Sequence, residues 1–557
     1  MKKKYLRLLA LSITAVMTFA GCGAATETST GKEEAASEMQ NEGEEEQLPQ
    51  ASDTIEKISD EGITWTVFKC SHTSIGTLIN DWNETEAAKL MEEKTGVHLE
   101  FITPILGEED TQLAMMIQSG ETPDFIIGNT GGGIDGYDGG AIGLLDDGKS
   151  VNLAEHLDEL PNFKKQLEAS EYRQKEVYTD DGRIPGFPTF YDNDEETEVY
   201  VGILIRKDLL DEVGMDIPET YDEWHDVLTA FKEKCGISKP FSPGYSGFGQ
   251  SNMWTAGYGF GYNDYAFGTN VPFYQKDGKV LYAPIDDTES FKAYLEMMNQ
   301  WYEEGLIDPD FQSVTDITTQ ISTYSSTECG SCVTAYSLAP VLSQMGAVSK
   351  SDYEYVVAPM PVLEKGEKTH IYAETTKIRL NSVIITNACD NVDLALKYWD
   401  QYFTKEASDI NCWGVEDVTY HVNEDGTKTW DESITNDPNY NFNNMRAAKV
   451  GSVNPGCYDV GSERVSDFDM AADELYRSQG DDLYRISSNV SLTEDEKDTY
   501  KRYMTDITTY VDEMSINYII GKESFDQFDQ FVQTIKDMGV QECIDAYQNA
   551  LDRYNAR

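Results

Sequence analysis

The chain has 557 residues, with 100 Asp and Glu against 43 Lys and Arg, and its formal net charge is −57 at pH 7. A charge of this sign repels nucleic acid and anionic lipid surfaces, so we expect neither as a partner. A neutral ligand suits this composition better. Acidity alone also keeps an exported protein soluble, and this simpler explanation stays open.

The first residues predict export. A basic segment, residues 2–7, precedes an apolar run, residues 8–20, in the order of a secretory signal, and the run is too short for a comfortable membrane span. The run ends in Phe-Ala-Gly before Cys22, which resembles the lipobox of bacterial lipoproteins. This resemblance implies that residues 1–21 are a signal peptide and that Cys22 carries the lipid. The alternative is an ordinary secretory signal with an incidental cysteine.

The next segment, residues 22–61, predicts an acidic tether. After Cys22 it consists largely of Glu, Ser, Thr, Ala, Gln and Gly, which cannot bury enough apolar surface to fold. Like charges extend such a linker, so it would hold the remaining chain away from the membrane. Localisation at the extracellular face of the cytoplasmic membrane follows from the predicted anchor.

Roughly 500 residues follow the tether, which is too long for one core and predicts two or more lobes. No later segment has the length and apolarity of a membrane helix. The stretches ITWTVFKC, VHLEFIT and PDFIIG predict strands, and the stretches NETEAAKLMEEKTG and LAMMIQSG predict helices that end at glycine. Their alternation predicts an α/β fold with a parallel sheet, whose ligands bind at the carboxyl ends of the strands.

Cysteine and histidine spacing gives little indication of a metal site. Cys329 and Cys332 form a single CxxC pair, and the six histidines form no HExxH or HxH motif. The sequence therefore predicts no metal and no cofactor. Besides Cys22 there are eight cysteines, which are compatible with disulfides or with free buried thiols.

Several stretches in order resemble bacterial extracellular solute-binding proteins of the sugar-binding type. They are EEKTGVHLEF, IQSGETPDFIIGNTGG, the region of residues 186–234 with its Arg-Lys-Asp strand end, MNQWYEEGLIDPDF and the last helix, IDAYQNALDRYN. The stretch NCWGVED is similar to a Gram-positive lipoprotein branch with Trp-Gly-x-Glu-Gly, but Asp417 replaces the final glycine.

The resemblance implies a type II periplasmic-binding-protein fold, with two α/β lobes joined by crossing hinge segments around a cleft. On this basis we expect residues 62–198 and 378–412 in the first lobe, and residues 199–377 and 413–557 in the second. It further implies a monomer that closes on its ligand and delivers it to the permease subunits of an ABC importer.

A neutral oligosaccharide needs aromatic planes for its rings and polar groups for its hydroxyls. Aromatic, amide and acidic residues cluster near the predicted strand ends and crossovers, and glycine-interleaved aromatics occupy residues 252–268. The residues that we expect to bind ligand are Trp82, Asn83, Asn129, Thr130, Tyr191, Asp192, Trp254, Tyr258, Tyr336, Trp413 and Glu416. Among them, Trp254 and Tyr336 are implied by the resemblance to maltose-binding relatives. Each aromatic could instead serve core packing.

These observations predict a lipid-anchored binding protein for a carbohydrate rather than an enzyme. The alternatives are the same fold with a peptide or another non-sugar solute, a surface module that senses glycans, and a secreted glycan-cleaving enzyme. Carboxylate pairs suited to glycoside cleavage arise by chance among so many acidic residues, and the chain has no nucleophile elbow, P-loop or zinc signature.

Overall fold

The computed structural model divides the chain after Gln47, and all described residues belong to the second part. The described residues are 49–70, 78–79, 81–105, 107–128, 134–191, 201–243, 253–261, 272–314, 317–370, 378–436, 442–451, 455–462, 467–481, 483–487 and 489–557. The predicted signal peptide, Cys22 and most of the predicted tether lie outside them.

The strands are short and distributed along the whole described chain. They are β1 (Ile63–Lys69), β2 (Val97–Ile102), β3 (Phe125–Ile127), β4 (Phe187–Tyr191), β5 (Val201–Arg206), β6 (Tyr274–Lys276), β7 (Lys279–Leu281), β8 (Ser331–Ala335), β9 (Tyr355–Ala358), β10 (Ile378–Ile385), β11 (Tyr420–Val422), β12 (Lys428–Trp430) and β13 (Gly456–Tyr458).

The helices between them vary from one turn to seven. They are α1 (Glu86–Thr95), α2 (Glu109–Ser119), α3 (Gly140–Asp146), α4 (Pro161–Leu167), α5 (Glu171–Val177), α6 (Lys207–Val213), α7 (Tyr221–Cys235), α8 (Ala283–Asp286), α9 (Thr288–Glu303), α10 (Ile317–Tyr324), α11 (Ala339–Ala347), α12 (Val392–Asp400), α13 (Lys405–Trp413), α14 (Glu432–Thr435), α15 (Phe442–Val450), α16 (Asp467–Gln479), α17 (Glu494–Ile519), α18 (Phe528–Asp537) and α19 (Val540–Asn555). None of these described helices combines the length and apolarity needed to cross a bilayer.

The first lobe is built on a six-stranded sheet of described residues in the order β13-β4-β10-β3-β1-β2. β1 pairs parallel with β2 and β3, as the alternating sequence pattern predicts, whereas β10 runs antiparallel to its neighbours β3 and β4. The helix α1 ends at Gly96, which has φ 73° and accommodates the left-handed turn into β2. Trp65, Phe125 and Trp399 are among the side chains that fill the core of this lobe.

The second lobe surrounds a smaller sheet, in the order β8-β5-β9, with long helices. The N-terminus of α7 is closed by a capping box in which the Thr220 side chain and the Glu223 side chain bond each other's backbone N–H groups. At the end of β5, Arg206 is 1% exposed and forms an ion pair with Asp208 at 2.6 Å. Burial opposes ionisation of the Asp208 carboxyl, but hydrogen bonds from Arg206 and Lys350 outweigh it and keep its pKa below the usual value. The Arg-Lys-Asp motif thus joins β5 to α6 and α11.

Residues 52–59 form an extended segment that packs on the first lobe, and we call it the strap. The Ser52 amide donates to Asn162 Oδ1 at 2.7 Å, the Ile55 amide donates to Glu406 Oε2 at 2.8 Å, and the Ile58 amide donates to Thr95 O at 2.8 Å. The predicted tether therefore ends before residue 61, because two isoleucines within an acidic composition find apolar contacts on the lobe.

The described residues among 413–462 lie with the first lobe, whereas the sequence analysis placed this range in the second. The reason is β13, which pairs parallel with β4 from Gly456 to Tyr458 and so extends the larger sheet. α13 and α15 pack beside it. Consecutive described elements therefore change lobe at three points along the chain, between Tyr191 and Val201, between His370 and Ile378, and between Ser462 and Asp467, and we call these points the crossings.

Candidate functional site

Five strands of the larger sheet end on the same side, which we call the carboxyl edge. β1, β2, β3, β4 and β13 point in one direction, and β10 begins at this edge because it runs antiparallel. Polar and aromatic residues occupy the edge where these strands end or begin: Lys69, Tyr191, Arg379 and Tyr458. In open α/β sheets, ligands bind at this position.

The aromatic side chains at one end of the carboxyl edge form a compact group, which we call the Trp413 cluster. Tyr191 and Tyr458 meet edge to face with ring centroids 5.6 Å apart, and Trp413 stacks on Trp430 at 4.7 Å. The Trp413 indole N–H donates to Asp459 Oδ2 at 2.7 Å. The cluster combines aromatic planes with a carboxylate acceptor, which is the combination of groups that carbohydrate recognition requires.

The WGVED loop explains how Trp413 is held. Gly414 has φ 84°, and a Cβ at this position would lie 2.5 Å from Thr419 Oγ1, so only glycine fits. Thr419 Oγ1 in turn donates to the Trp413 carbonyl at 2.5 Å. Asp417 replaces the glycine of the related lipoprotein branch and still adopts the left-handed conformation, with φ 61°. Glu416, in the same loop, is exposed.

A second feature lies at the end of β1. The Lys69 ammonium lies 4.3 Å from the centroid of the Trp82 ring, and both side chains are buried. Burial lowers the pKa of Lys69 to about 8, although the nearby Cys70 thiol partly opposes this change. Asn83 follows Trp82 in a short 3-10 helix that Asp81 caps.

In the second lobe, Tyr336 lies at the end of β8 beside the start of β5. Gly202 faces it so closely that a Cβ there would lie 3.0 Å from Tyr336 Cβ and 2.8 Å from Tyr476 Oη. The Tyr476 hydroxyl bonds the Ile203 amide at 2.8 Å and the Ala358 carbonyl at 3.0 Å. α16 is therefore fixed to β5 and β9 of the smaller sheet.

Trp254 and Tyr258 lie in the packed interior of the second lobe. Trp254 is 4% exposed, and the rings of Trp224 and Phe241 lie 5.1 and 4.7 Å from its own. Its indole N–H has no hydrogen-bond partner among the described residues. Tyr258 is half-buried and packs on Tyr221 at 4.8 Å, and burial, together with the charge of Asp222, raises the pKa of Tyr258 to about 12.

Asn129, Thr130 and Asp192 lie outside the described residues, so their predicted ligand contacts stay predictions. The acidic stretch DNDEE, residues 192–196, lies outside them as well. Within the part of the chain that the structure describes, no three His, Cys, Asp or Glu side chains are grouped as metal ligands, and no disulfide joins the eight described cysteines.

The sequence analysis proposed Tyr191 and Trp413 as ligand residues but did not name the side chains that contact them. Tyr458 is the last residue of β13, a strand of only three residues, and Asp459 follows it. Arg446 on α15 donates to the Tyr458 hydroxyl. Nothing local in GCYD marks a strand, since its pairing partner β4 lies more than 260 residues earlier in the chain. The tyrosine followed by an aspartate is the one signal that the sequence offers here, and no predicted lobe boundary lies near it.

A family model for bacterial extracellular solute-binding proteins matches residues 79–408, which is more than half of the chain. The fructooligosaccharide ABC transporter substrate-binding protein FusA of Streptococcus pneumoniae is 25% identical over 348 residues, which cover 60% of each chain. Lipoprotein LipO of Bacillus subtilis is 33% identical over 116 residues, 20% of this chain and 22% of LipO. The matches therefore span less than two thirds of either relative.

Solved structures share the fold along nearly their whole length. The alginate-binding protein AlgQ2 superposes with a TM-score of 0.68 at 22% identity, covering 89% of this chain and 99% of AlgQ2. An extracellular solute-binding protein from Bifidobacterium longum subsp. infantis gives a TM-score of 0.70 at 18% identity, covering 88% and 98%. The family and these neighbours are binding proteins rather than enzymes. The two α/β lobes and the family match together show that this chain belongs to the bacterial extracellular solute-binding protein family.

Proposed function

We propose that this protein captures an oligosaccharide between its two lobes and delivers it to an ABC importer. The Trp413 cluster is the observation that carries the proposal, because it places aromatic faces and the Asp459 carboxylate at the carboxyl edge of the larger sheet. The relatives support the substrate class, since FusA is a fructooligosaccharide-binding protein and AlgQ2 an alginate-binding protein.

The ligand is a neutral sugar. The net charge of −57 disfavours a polyanion, and neutral sugar rings gain most from stacking and from hydroxyl hydrogen bonds. The residues that would contribute these contacts are Trp82, Asn83, Tyr191, Tyr336, Trp413 and Glu416, together with Asn129, Thr130 and Asp192. Trp254 and Tyr258 serve core packing in this proposal.

Capture proceeds by closure of the lobes. Each lobe contributes part of the ligand surface, so the ligand binds the closed form more tightly and shifts the population towards it. The closed form then docks on the permease. Because its residues act by binding, this mechanism requires no catalytic group.

The lipid on Cys22 would keep the protein at the extracellular face of the membrane. Mass spectrometry of the protein from a Gram-positive host tests this directly. We expect the first residue to be a diacylated Cys22 and we expect Cys22→Ser to release the protein into the medium. An unmodified chain that begins elsewhere would support the ordinary secretory signal instead.

A thermal-shift screen tests the substrate class. The protein tested is the chain without residues 1–21 and with Cys22→Ser, because the strap is part of the first lobe and must be retained. The probes are kestose and longer fructooligosaccharides, alginate oligosaccharides as the acidic comparison, other plant and host oligosaccharides, and peptides. A ligand that binds only the folded protein raises the midpoint by mass action.

We expect at least one neutral oligosaccharide to raise the midpoint and to be recovered intact by mass spectrometry. A shift with peptides alone would contradict the carbohydrate proposal, and a shift with alginate oligosaccharides alone would contradict a neutral ligand. A cleaved sugar would show that the protein is an enzyme.

A further inference from the structure

A polar contact joins the two lobes. Its centre is Glu176, on α5 of the first lobe, whose side chain is 1% exposed. The Glu176 carboxylate accepts hydrogen bonds from the Tyr554 hydroxyl, the Ser487 hydroxyl and the Asn489 amide, and the Ser487 Oγ to Glu176 Oε2 distance is 3.0 Å. All three donors belong to the second lobe.

Ion pairs continue the same contact towards solvent. Asp180, just after α5, lies 3.0 Å from Arg553 Nε and 2.8 Å from Arg557 Nε. Arg553 also bonds both oxygens of Glu496, at 2.8 and 2.6 Å, so α17 holds this guanidinium in place. Hydrogen bonds with Glu496, followed by those with Asp180, raise the pKa of Arg553 despite its partial burial. We call Glu176, Asp180 and their partners the clasp.

The clasp connects two separate cores. Val177, beside Glu176, is buried in the core of the first lobe, and Tyr554 is buried in the core of the second. The three crossings, between Tyr191 and Val201, between His370 and Ile378 and between Ser462 and Asp467, are distant in sequence from α19. The clasp is therefore a non-covalent connection in addition to the three crossings.

The chemistry of the clasp favours rotation over sliding. Leaving the buried Glu176 carboxylate without its donors costs more free energy than an ordinary hydrogen bond contributes. The three donors therefore resist separation from Glu176. Hydrogen bonds tolerate a moderate change of angle but only a few tenths of an ångström in length. Two lobes joined in this way can turn about the contact more easily than they can translate past it.

We propose that the clasp is the pivot of lobe movement, and that it holds α5 against α19 in both the open and the closed protein. This inference rests on the proposed function, since it assumes that the lobes close on a ligand. The clasp residues are positioning residues, which limit the lobe orientations that the ligand-free protein samples. Their loss would let the lobes adopt orientations in which the two halves of the site do not meet.

Small-angle X-ray scattering of the ligand-free protein tests the pivot. The chain without residues 1–21 and with Cys22→Ser is compared with its Asp180→Asn, Arg557→Gln and Glu176→Gln/Asp180→Asn variants. We expect each variant to have a larger radius of gyration than the parent, with the largest increase in the double variant. The pair-distance distribution should gain longer distances. Far-UV circular dichroism should stay unchanged, because each lobe keeps its own core.

The matched control is Asp146→Asn, which removes an aspartate–arginine pair inside the first lobe, where Asp146 Oδ1 lies 2.6 Å from Arg183 Nη1. Its scattering should match the parent. Parent-like scattering from folded Asp180→Asn and Arg557→Gln, or an equal increase in the control, would overturn the pivot. If the double variant does not fold, the scattering of Arg557→Gln, just after α19, decides whether the clasp is the pivot. No sugar is present, so a failed ligand screen would leave this result unaffected.

Discussion

Trp254 and Trp413 lie in regions with opposite character. Trp254 is enclosed by rings of the second lobe, with Trp301 edge to face at 5.8 Å, and its N–H has no partner among the described residues. Trp413 is equally buried but lies at the carboxyl edge, and its N–H donates to Asp459. Burial alone does not separate a packing tryptophan from a candidate ligand residue; the polar partner and the position on the sheet do.

The largest loss of stability is expected from a substitution at Trp254. We expect Trp254→Ala to lower the free energy of unfolding by about 3–5 kcal/mol, because a large buried side chain leaves a cavity. Urea unfolding followed by circular dichroism measures this change. Trp254→Phe fills much of the cavity and should lose clearly less. A near-neutral Trp254→Ala with weakened sugar binding would move Trp254 to the ligand surface.

Removal of the indole N–H tests the other region. We expect Trp413→Phe to lower the free energy of unfolding by about 1–2 kcal/mol, because the Asp459 carboxylate loses a charge-assisted hydrogen bond. Asp459→Asn is the control, since its amide oxygen still accepts from Trp413 and its loss should be smaller. Unchanged stability of Trp413→Phe would contradict the prediction, and no loss at all in Asp459→Asn would contradict a role for the charge of Asp459.

The loop that holds Trp413 allows a test in the stabilising direction. Asp417 has φ 61°, so Asp417→Gly should raise the free energy of unfolding by about 0.5 kcal/mol through relief of backbone strain. Gly414→Ala, three residues earlier, should do the opposite because its Cβ would meet Thr419. Differential scanning calorimetry measures the stability of both variants. A destabilised Asp417→Gly would show that the Asp417 side chain contributes more to stability than the relief of backbone strain does.

The smallest effect is a pH dependence confined to the Trp413 region. Hydrogen bonds with Asp417 and then Asp431 raise the pKa of His421 above its usual value. Their contribution is therefore fully present below the unfolded-state pKa of about 6.5 and is lost as pH rises through the folded-state pKa. After correction for intrinsic exchange rates, the backbone amides of the β11–β12 hairpin should be less protected from hydrogen exchange at high pH. His421→Gln should abolish the dependence, and an unchanged profile in that variant would assign it to another group.

Local signals predicted the first lobe well. The alternation in ITWTVFK, the glycines that end α1 and α2, and the order of strands and helices all act over a few residues, and each is confirmed. The capping residue Thr220 marks the start of α7 in the same way. Such elements depend on backbone geometry and hydrophobic period, which a single sequence displays.

Long-range pairing accounts for what the sequence did not predict. β13 is too short for a periodic pattern, so its place beside β4, and with it the lobe to which residues 413–462 belong, depends on contacts with distant residues. Trp254 illustrates a different limit. Glycines beside an aromatic predict an accessible ring, but Gly257 packs so closely that a Cβ there would lie 2.2 Å from Pro361 O. Here glycine permits dense packing.

The strap determines which lobe a lipid anchor on Cys22 would hold. Its hydrogen bonds to other described parts of the chain are with the first lobe, so a lipid on Cys22 would hold that lobe and leave the second to move relative to the membrane. The strap would also shorten the predicted tether, which would end at Ser52 instead of residue 61. Because local concentration falls with about the −3/2 power of tether length, this shortening would raise the protein's concentration around a neighbouring permease roughly 1.5-fold.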